Sequence, residues 1–213
     1  MSARNDAVRA GLGVGLAVGF SGLAFGAAAV TAGLSVAQAC ALSLFAFTGA
    51  SQFALAGAVA GGGALVPAVA GALLLGARNG LYGLRLATLL PSRLRALTAH
   101  GIIDETSAVA FAHPGEAKTG FYTTFASLYV TWNLATLLAA LGASQVADPT
   151  VFGLDAVGPA TFLALLWPRL KESAEDRKVA VAGVVIALAA TPFLPAGIPV
   201  LLAAAGALVV LVR

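Results

Sequence analysis

Charge is what this chain most conspicuously lacks. No Asp, Glu, Lys or Arg occurs between Arg9 and Arg78, and charged residues make up only 10% of its 213 residues. Soluble domains carry about 25%, so a chain this poor in charge cannot cover its surface for water and must be solvated by lipid. Period-2 alternation with polar inward positions is missing as well, which excludes a membrane β-barrel. Cys40 is the single cysteine and can close no internal disulfide. His100 and His113 stand in or beside polar stretches without metal-ligand spacing, so no metal site is expected. No nucleophile elbow, phosphate loop or paired His/Cys cluster occurs, and nothing calls for covalent catalysis or a cofactor.

What remains is apolar: 60% of the residues are hydrophobic, with mean hydropathy +0.95. The expected class is all-α, a polytopic integral membrane bundle forming one transporter-sized domain over residues 1–213. Its length suits about seven spans (six to eight) at roughly 20–25 residues each. Turn residues place them near Leu12–Thr31, Gln38–Ala60, Ala64–Leu89, Thr119–Ala143, Leu154–Trp167, Val179–Leu194 and from Pro199 to Val212. A polar stretch, Pro91–Lys118, holds the short apolar piece Ala108–Ala112, and the fifth span is expected to be interrupted by Gly158-Pro159. The start MSARNDAVRA resembles a signal n-region, but the apolar run behind it is too long for a cleaved peptide and reads as the first span. Ala37-Gln38-Ala39-Cys40 lacks the leucine of a lipoprotein cleavage site and lies beyond a full span.

The net charge of +3 does not point to nucleic acid, because the basic residues flank apolar segments, where they set membrane orientation. With seven spans, Arg93, Arg95, Lys118, Arg169, Lys171, Arg177, Lys178 and Arg213 share one side, whereas Arg4 and Arg9 alone occupy the other. The C-terminus is then expected in the cytoplasm and the N-terminus outside. Gly11, Gly15 and Gly19, Gly22 and Gly26, and Gly57 and Gly61 are spaced by four. Small residues at that spacing let helix backbones approach in lipid, where no hydrophobic effect drives association.

Polar residues at mid-depth carry the functional expectation. Ser51 and Gln52, beside Phe53, fall near the middle of the second span. In the third, Arg78, Asn79 and Tyr82 lie among Gly80 and Gly83. Arg78 is roughly 20 Å from either end of its span at 1.5 Å per residue, beyond the reach of a snorkelling side chain. It is expected in protein or a wet cavity, either serving function there or bridging structurally to a carboxylate such as Asp104 or Asp155. Arg78, Tyr82 and Arg85 share a helix face by spacing, and Arg85 is close enough to one end to snorkel. Trp132 and Asn133 sit at the middle of the fourth span. An ionisable group at such depth costs about 2.5–3.5 kcal/mol on insertion scales and is functional by default. Gly49, Gly80, Gly83 and Gly158-Pro159 are candidate helix breaks, and broken helices at the midplane are where transporters bind small solutes. Asp104-Glu105-Thr106-Ser107 reads either as the cap of a short helix or as a gate or proton-carrying site.

The run GLAFGAAAVTAGLSVAQACALSLFAFTGASQFALAG resembles the signature of the AzlC family, the large subunit of two-component branched-chain amino-acid exporters. ARNGLYGLRLA, DETSA, WNLATLLAALGA and GLDAVGPATFLALL are similar to the family's later landmarks and follow in the same order. Gly76 stands where members often have asparagine, and Asn79 where they have histidine. The resemblance implies export of valine, isoleucine, leucine or methionine across a bacterial or archaeal cytoplasmic membrane, coupled to the membrane potential or a proton gradient. It also implies a small AzlD-type membrane partner, and leaves room for a higher oligomer. Combined with depth, it gives a substrate site of Ser51, Gln52, Phe53, Arg78, Asn79, Tyr82, Trp132, Asn133 and Asp155, gated or proton-coupled by Asp104 and Glu105. The competing readings are the capture subunit of an ATP-driven importer, a passive small-solute channel and, weakest, a membrane enzyme.

Overall fold

The computed structural model describes residues 2–90, 95–146, 156–194 and 198–210. These residues form helices and turns, with no strand among them. The longest helix, α9 (Ala117–Ser144), is the axis of the fold. Along one side of it runs a nearly continuous helical rod made of α1 (Ala3–Gly19) and α2 (Gly22–Thr31). The rod and the axis touch through glycine. A Cβ built on Gly15 or Gly19 would run into Ser127 or Thr131, and on Gly22 or Gly26 into the backbone carbonyl of Trp132 or Thr136. A step of three residues between Gly19 and Gly22 corrects the drift that steps of four accumulate against a 3.6-residue turn, so the bare face stays on α9. Ser127 adds a hydrogen bond from its hydroxyl to the Gly11 carbonyl at 3.2 Å. Gly57 and Gly61 share the spacing without the role, since a Cβ on Gly57 would meet nothing within 4 Å.

The second expected span, Gln38–Ala60, is not one helix. It divides into α3 (Val36–Phe45) and α4 (Ala50–Ala60), each too short to cross a bilayer alone. Gly49 makes the break with φ +59°, a backbone conformation that glycine adopts without steric cost. The third expected span is α5 (Leu65–Gly76) followed directly by α6 (Arg78–Leu86). Its discontinuity falls at Ala77, whose N–H turns to the Leu74 carbonyl. Gly80 and Gly83, expected to unwind, are helical: a glycine inside a helix costs roughly 0.5–1 kcal/mol, which packing can offset. Two short helices follow, α7 (Arg95–His100) and α8 (Asp104–Ala112), where the sequence reading had a polar stretch with one apolar piece.

Beyond α9, α10 (Val157–Glu172) carries Gly158-Pro159 in its first turn, and the start of the expected fifth span before residue 156 lies outside the described residues. Proline in a first turn gives up an N–H that has no intrahelical partner. Next, α11 (Ala174–Ala190) starts on the Ser173 hydroxyl, which accepts from the Asp176 N–H at 3.0 Å, five residues before the expected sixth span. The short α12 (Ile198–Ala203) and a 3-10 turn (Ala204–Val210) pack on α11. Three helical stretches are long and apolar enough to cross a membrane unaided among the described residues: Ala3–Thr31, Leu65–Leu86 and Pro114–Ser144. The fold is a membrane helical bundle with divided helices.

Candidate functional site

The break at Gly49 frees backbone groups in the interior, and Gln52 answers one of them. Its Oε1 accepts from the Gly49 N–H at 3.0 Å, capping α4 from within its own first turn. That bond fixes which end of the amide is oxygen, so Nε2 points the other way. Gln52 is only 1% exposed, yet Nε2 has no hydrogen-bond partner. An unpaired buried donor costs roughly 1–3 kcal/mol, which makes it a poor structural element and a good ligand group.

Around it stands an aromatic wall. Trp132 of α9 stacks on Phe25 of α2 (centroids 6.1 Å, planes 18° apart), and Phe53 of α4 meets both rings edge-on at 5.6 and 6.3 Å. A Cβ on Gly49 would lie 3.9 Å from the Trp132 indole, so the wall and the break are neighbours. Trp132 is 3% exposed and its Nε1–H is unpaired. Asn133 donates through Nδ2 to the Tyr129 carbonyl at 2.8 Å, and its Oδ1 has no partner.

Ser51 links this group to α5 and α6, for a Cβ on Gly76 would sit 3.3 Å from the Ser51 hydroxyl oxygen. Two residues on, Arg78 opens α6. Of the two carboxylates anticipated for it, Asp104 is the partner: Nη2 reaches Oδ2 at 2.6 Å. Asp155 lies outside the described residues. The pair is engaged at one point only. Arg78 Nε, Asp104 Oδ1 and the neighbouring Asn79 Oδ1 are covered without partners. Burial of Arg78 holds at Nε, but the side chain as a whole is 39% exposed and that of Asp104 42%, so the pair is less enclosed than the aromatic wall. Tyr82 is half-buried against the core. The exposed Arg85 places its guanidinium 4.6 Å over the Phe111 ring of α8, a cation–π contact.

Helix α8 is not capped by its acids. Thr106 accepts from the Ile103 N–H at 3.1 Å and donates to the Gly101 carbonyl at 2.7 Å, leaving Asp104 for Arg78. Glu105 is half-buried, and burial pushes its carboxyl above the usual carboxylate range. Its own backbone N–H pulls the value down less, the Asp104 carboxylate adds to the rise, and Arg78 opposes it most weakly.

Three groups were not visible from sequence. Phe25 builds the wall from a segment that reads as plain span. Ser107, discussed below, was visible only as part of a cap. His100 ends α7 in a cage of Phe47, Phe125 and Tyr129, with centroids at 5.6 to 6.3 Å, beside the same break. An open groove of about 630 Å³ between α1 and α9 is lined by Leu12, Leu16, Ser127, Val130 and Thr131 among others, and includes none of Gln52, Phe53, Arg78, Asp104 and Trp132.

The arrangement presents unpaired donors (Gln52 Nε2, Trp132 Nε1, Arg78 Nε) and unpaired acceptors (Asn79 Oδ1, Asn133 Oδ1, Asp104 Oδ1) beside a dry aromatic surface. A family model described as AzlC protein matches residues 13–146, a span that holds every site residue described here. An uncharacterized membrane protein of Archaeoglobus fulgidus is 32% identical over 171 residues, covering 78% of this chain and 74% of the relative. No solved structure matches the chain. On sequence, therefore, this membrane protein belongs to the AzlC family.

Proposed function

We propose that the chain is the large subunit of a secondary transporter that exports hydrophobic amino acids, valine, isoleucine, leucine or methionine, across the cytoplasmic membrane. The observation that carries this reading is the set of unpaired buried polar atoms around the divided helices. An amino-acid zwitterion needs donors for its carboxylate, acceptors for its ammonium and an apolar surface for its side chain. Arg78 Nε and Gln52 Nε2 suit the first, Asp104 Oδ1 and Asn79 Oδ1 the second, and Phe53 with Trp132 the third. A substrate that completes these bonds recovers part of the free energy spent on keeping them open. The start of α4 adds the partial positive charge of a helix N-terminus for the carboxylate.

A small AzlD-type membrane subunit is the proposed partner. The helical stretch Leu65–Leu86 supports it, since Leu65, Val66, Leu73, Leu74, Leu81 and Leu84 are exposed along it. Positive-inside charge supports a cytoplasmic C-terminus. The test is export from cells lacking their own exporters and fed a leucine-containing dipeptide. Internal leucine falls when the chain and its partner are expressed together and stays high with an empty vector. No relief for any hydrophobic amino acid contradicts the proposal.

Gln52 separates capping from binding. Gln52→Ala loses both and destabilises the protein by about 0.5–2 kcal/mol, as a lost N-cap does. Gln52→Glu keeps an oxygen for the Gly49 N–H but replaces the free donor with a buried carboxyl, so it is destabilised by that burial while the cap remains, and fails to bind L-leucine. Melting and binding measured on the same preparations check both outcomes.

Glu105 supports coupling to protons, because a carboxyl with a raised pKa holds its proton closer to neutrality. The neutral form is the one the fold favours. Its stabilising contribution is therefore complete below the ordinary carboxylate range and is lost as pH rises through the raised value. Export is expected to show an inflection above the ordinary carboxylate range. Glu105→Gln removes that inflection and flattens the stability change over the same interval. An unchanged profile in Glu105→Gln assigns the proton to another group.

A further inference from the structure

Hydroxyl side chains inside helices normally donate to a carbonyl one turn back, and this chain follows the rule repeatedly. Thr124 donates to the Gly120 carbonyl, Ser127 to Thr123 and Thr191 to Ala187, at 2.7 to 2.8 Å. Ser107 breaks it. Its acceptor would be the Ile103 carbonyl, which already takes the Ser107 backbone N–H at 3.0 Å and the Thr106 hydroxyl at 3.1 Å. The Thr106 hydroxyl has its shorter contact to the Gly101 carbonyl at 2.7 Å, yet the Ser107 Oγ has no partner although the residue is only 2% exposed.

The direction in which Ser107 is free follows from helix spacing. It stands three residues after Asp104 and four before Phe111, so all three share one face of α8. Asp104 and Phe111 are the residues through which α8 holds Arg78 and Arg85 of α6. Along α8 Ser107 stands between Asp104 and Phe111, at the boundary between the face turned to α6 and the core face of Ile103 and Ala110. Adjacent hydroxyls have separate tasks: Thr106 builds the helix start, and Ser107 is left over in the seam that Arg78 opens.

We propose that the Ser107 hydroxyl is a substrate ligand, donating to the carboxylate that Arg78 attracts. The inference rests on the amino-acid reading above and adds to it a contact from α8, the helix that also carries Asp104 and Glu105. Binding then closes α8 against α6 through the substrate, in addition to the Arg78–Asp104 pair.

The full-length protein, purified in detergent, is titrated with L-leucine, L-valine and 3-methylbutylamine, which keeps the leucine side chain and ammonium but has no carboxylate. Ser107→Ala is expected to weaken L-leucine about 10-fold or more, the size of a hydrogen bond to a charged group. It should leave 3-methylbutylamine unchanged, so the preference between the two shrinks. Thr106→Val is expected to lower the melting temperature without altering that preference. A purely structural Ser107 predicts the opposite: removing an unpaired buried hydroxyl leaves binding intact and stability equal or higher. L-leucine binding that is equal in wild type and Ser107→Ala overturns the role of Ser107 alone. A wild-type protein that binds neither L-leucine nor L-valine overturns the amino-acid reading and this inference together.

Discussion

Arg78→Ala is expected to abolish export of L-leucine while the protein still reaches the membrane, a loss of about 100-fold or more. In the structure Nη2 pairs with Asp104 and the covered Nε has no partner; in the proposed site that Nε binds the substrate anion. Removing the side chain ends that binding and strands the Asp104 carboxylate, which also costs stability. The two consequences can be separated. Arg78→Ala with Asp104→Ala removes the stranded charge, so it should recover much of the thermal stability and none of the export. Breaking one partner of a charge pair is costly mainly because the other is left uncompensated, and the double variant measures that cost directly. Arg78→Lys keeps the charge but loses the planar fork, and is expected to export about 10-fold less than wild type. If Arg78→Ala and wild type export at equal rates, Arg78 is a structural bridge and the substrate site lies elsewhere.

The second large effect concerns the seam between the α1–α2 rod and α9. Gly22 and Gly26 face the carbonyls of Trp132 and Thr136 so closely that even one added carbon overlaps them. Backbone cannot rotate out of the way as a side chain can, so the rod must move. Gly26→Ala is expected to destabilise by about 1–3 kcal/mol, the usual cost of overpacking a tight core, and Gly26→Leu to prevent recovery of folded protein. Gly22→Ala also displaces the turn that carries Trp132, so binding should fall with stability. Gly13→Ala and Gly57→Ala are the controls. A Cβ at either meets nothing within 4 Å, and within a helix alanine is favoured over glycine by roughly 0.5–1 kcal/mol. Melting of the purified proteins checks the set. Equal melting temperatures for Gly26→Leu and wild type would show that the rod and α9 do not meet through glycine.

The contrast between Gly26 and Gly57 shows what could be read from the chain and what could not. Both belong to runs spaced by four, and spacing alone treats them alike. Only the neighbour decides, and the α9 residues facing Gly26 are about a hundred positions away. Gly49 was legible for a different reason. A break needs a residue that tolerates positive φ, and its site inside an apolar run left few alternatives. Gly80 and Gly83 had the same credentials but stay helical, because nothing local distinguishes a glycine that unwinds from one that is merely tolerated. Arg78 could be marked from depth and cost, and Asp104 was one of its two candidate partners; the structure supplied the pairing. Ser107 was hidden because a serine whose hydroxyl leaves the carbonyl one turn back unused looks, in sequence, like any other serine in a helix. Phe25 was hidden because a phenylalanine in a membrane span is unremarkable until a tryptophan from another helix stacks on it.

The account makes Gln52, Arg78 and Trp132 parts of one zwitterion site reached from the cytoplasm. It is tested most directly by efflux from proteoliposomes holding the chain and its small partner. The vesicles are preloaded with radiolabelled L-leucine and placed under an imposed membrane potential or proton gradient. The account predicts saturable release of leucine with the wild-type chain, competed by valine, and release at the protein-free rate with Arg78→Ala. Release that rises linearly with leucine concentration, or that Arg78→Ala leaves unchanged, would contradict it.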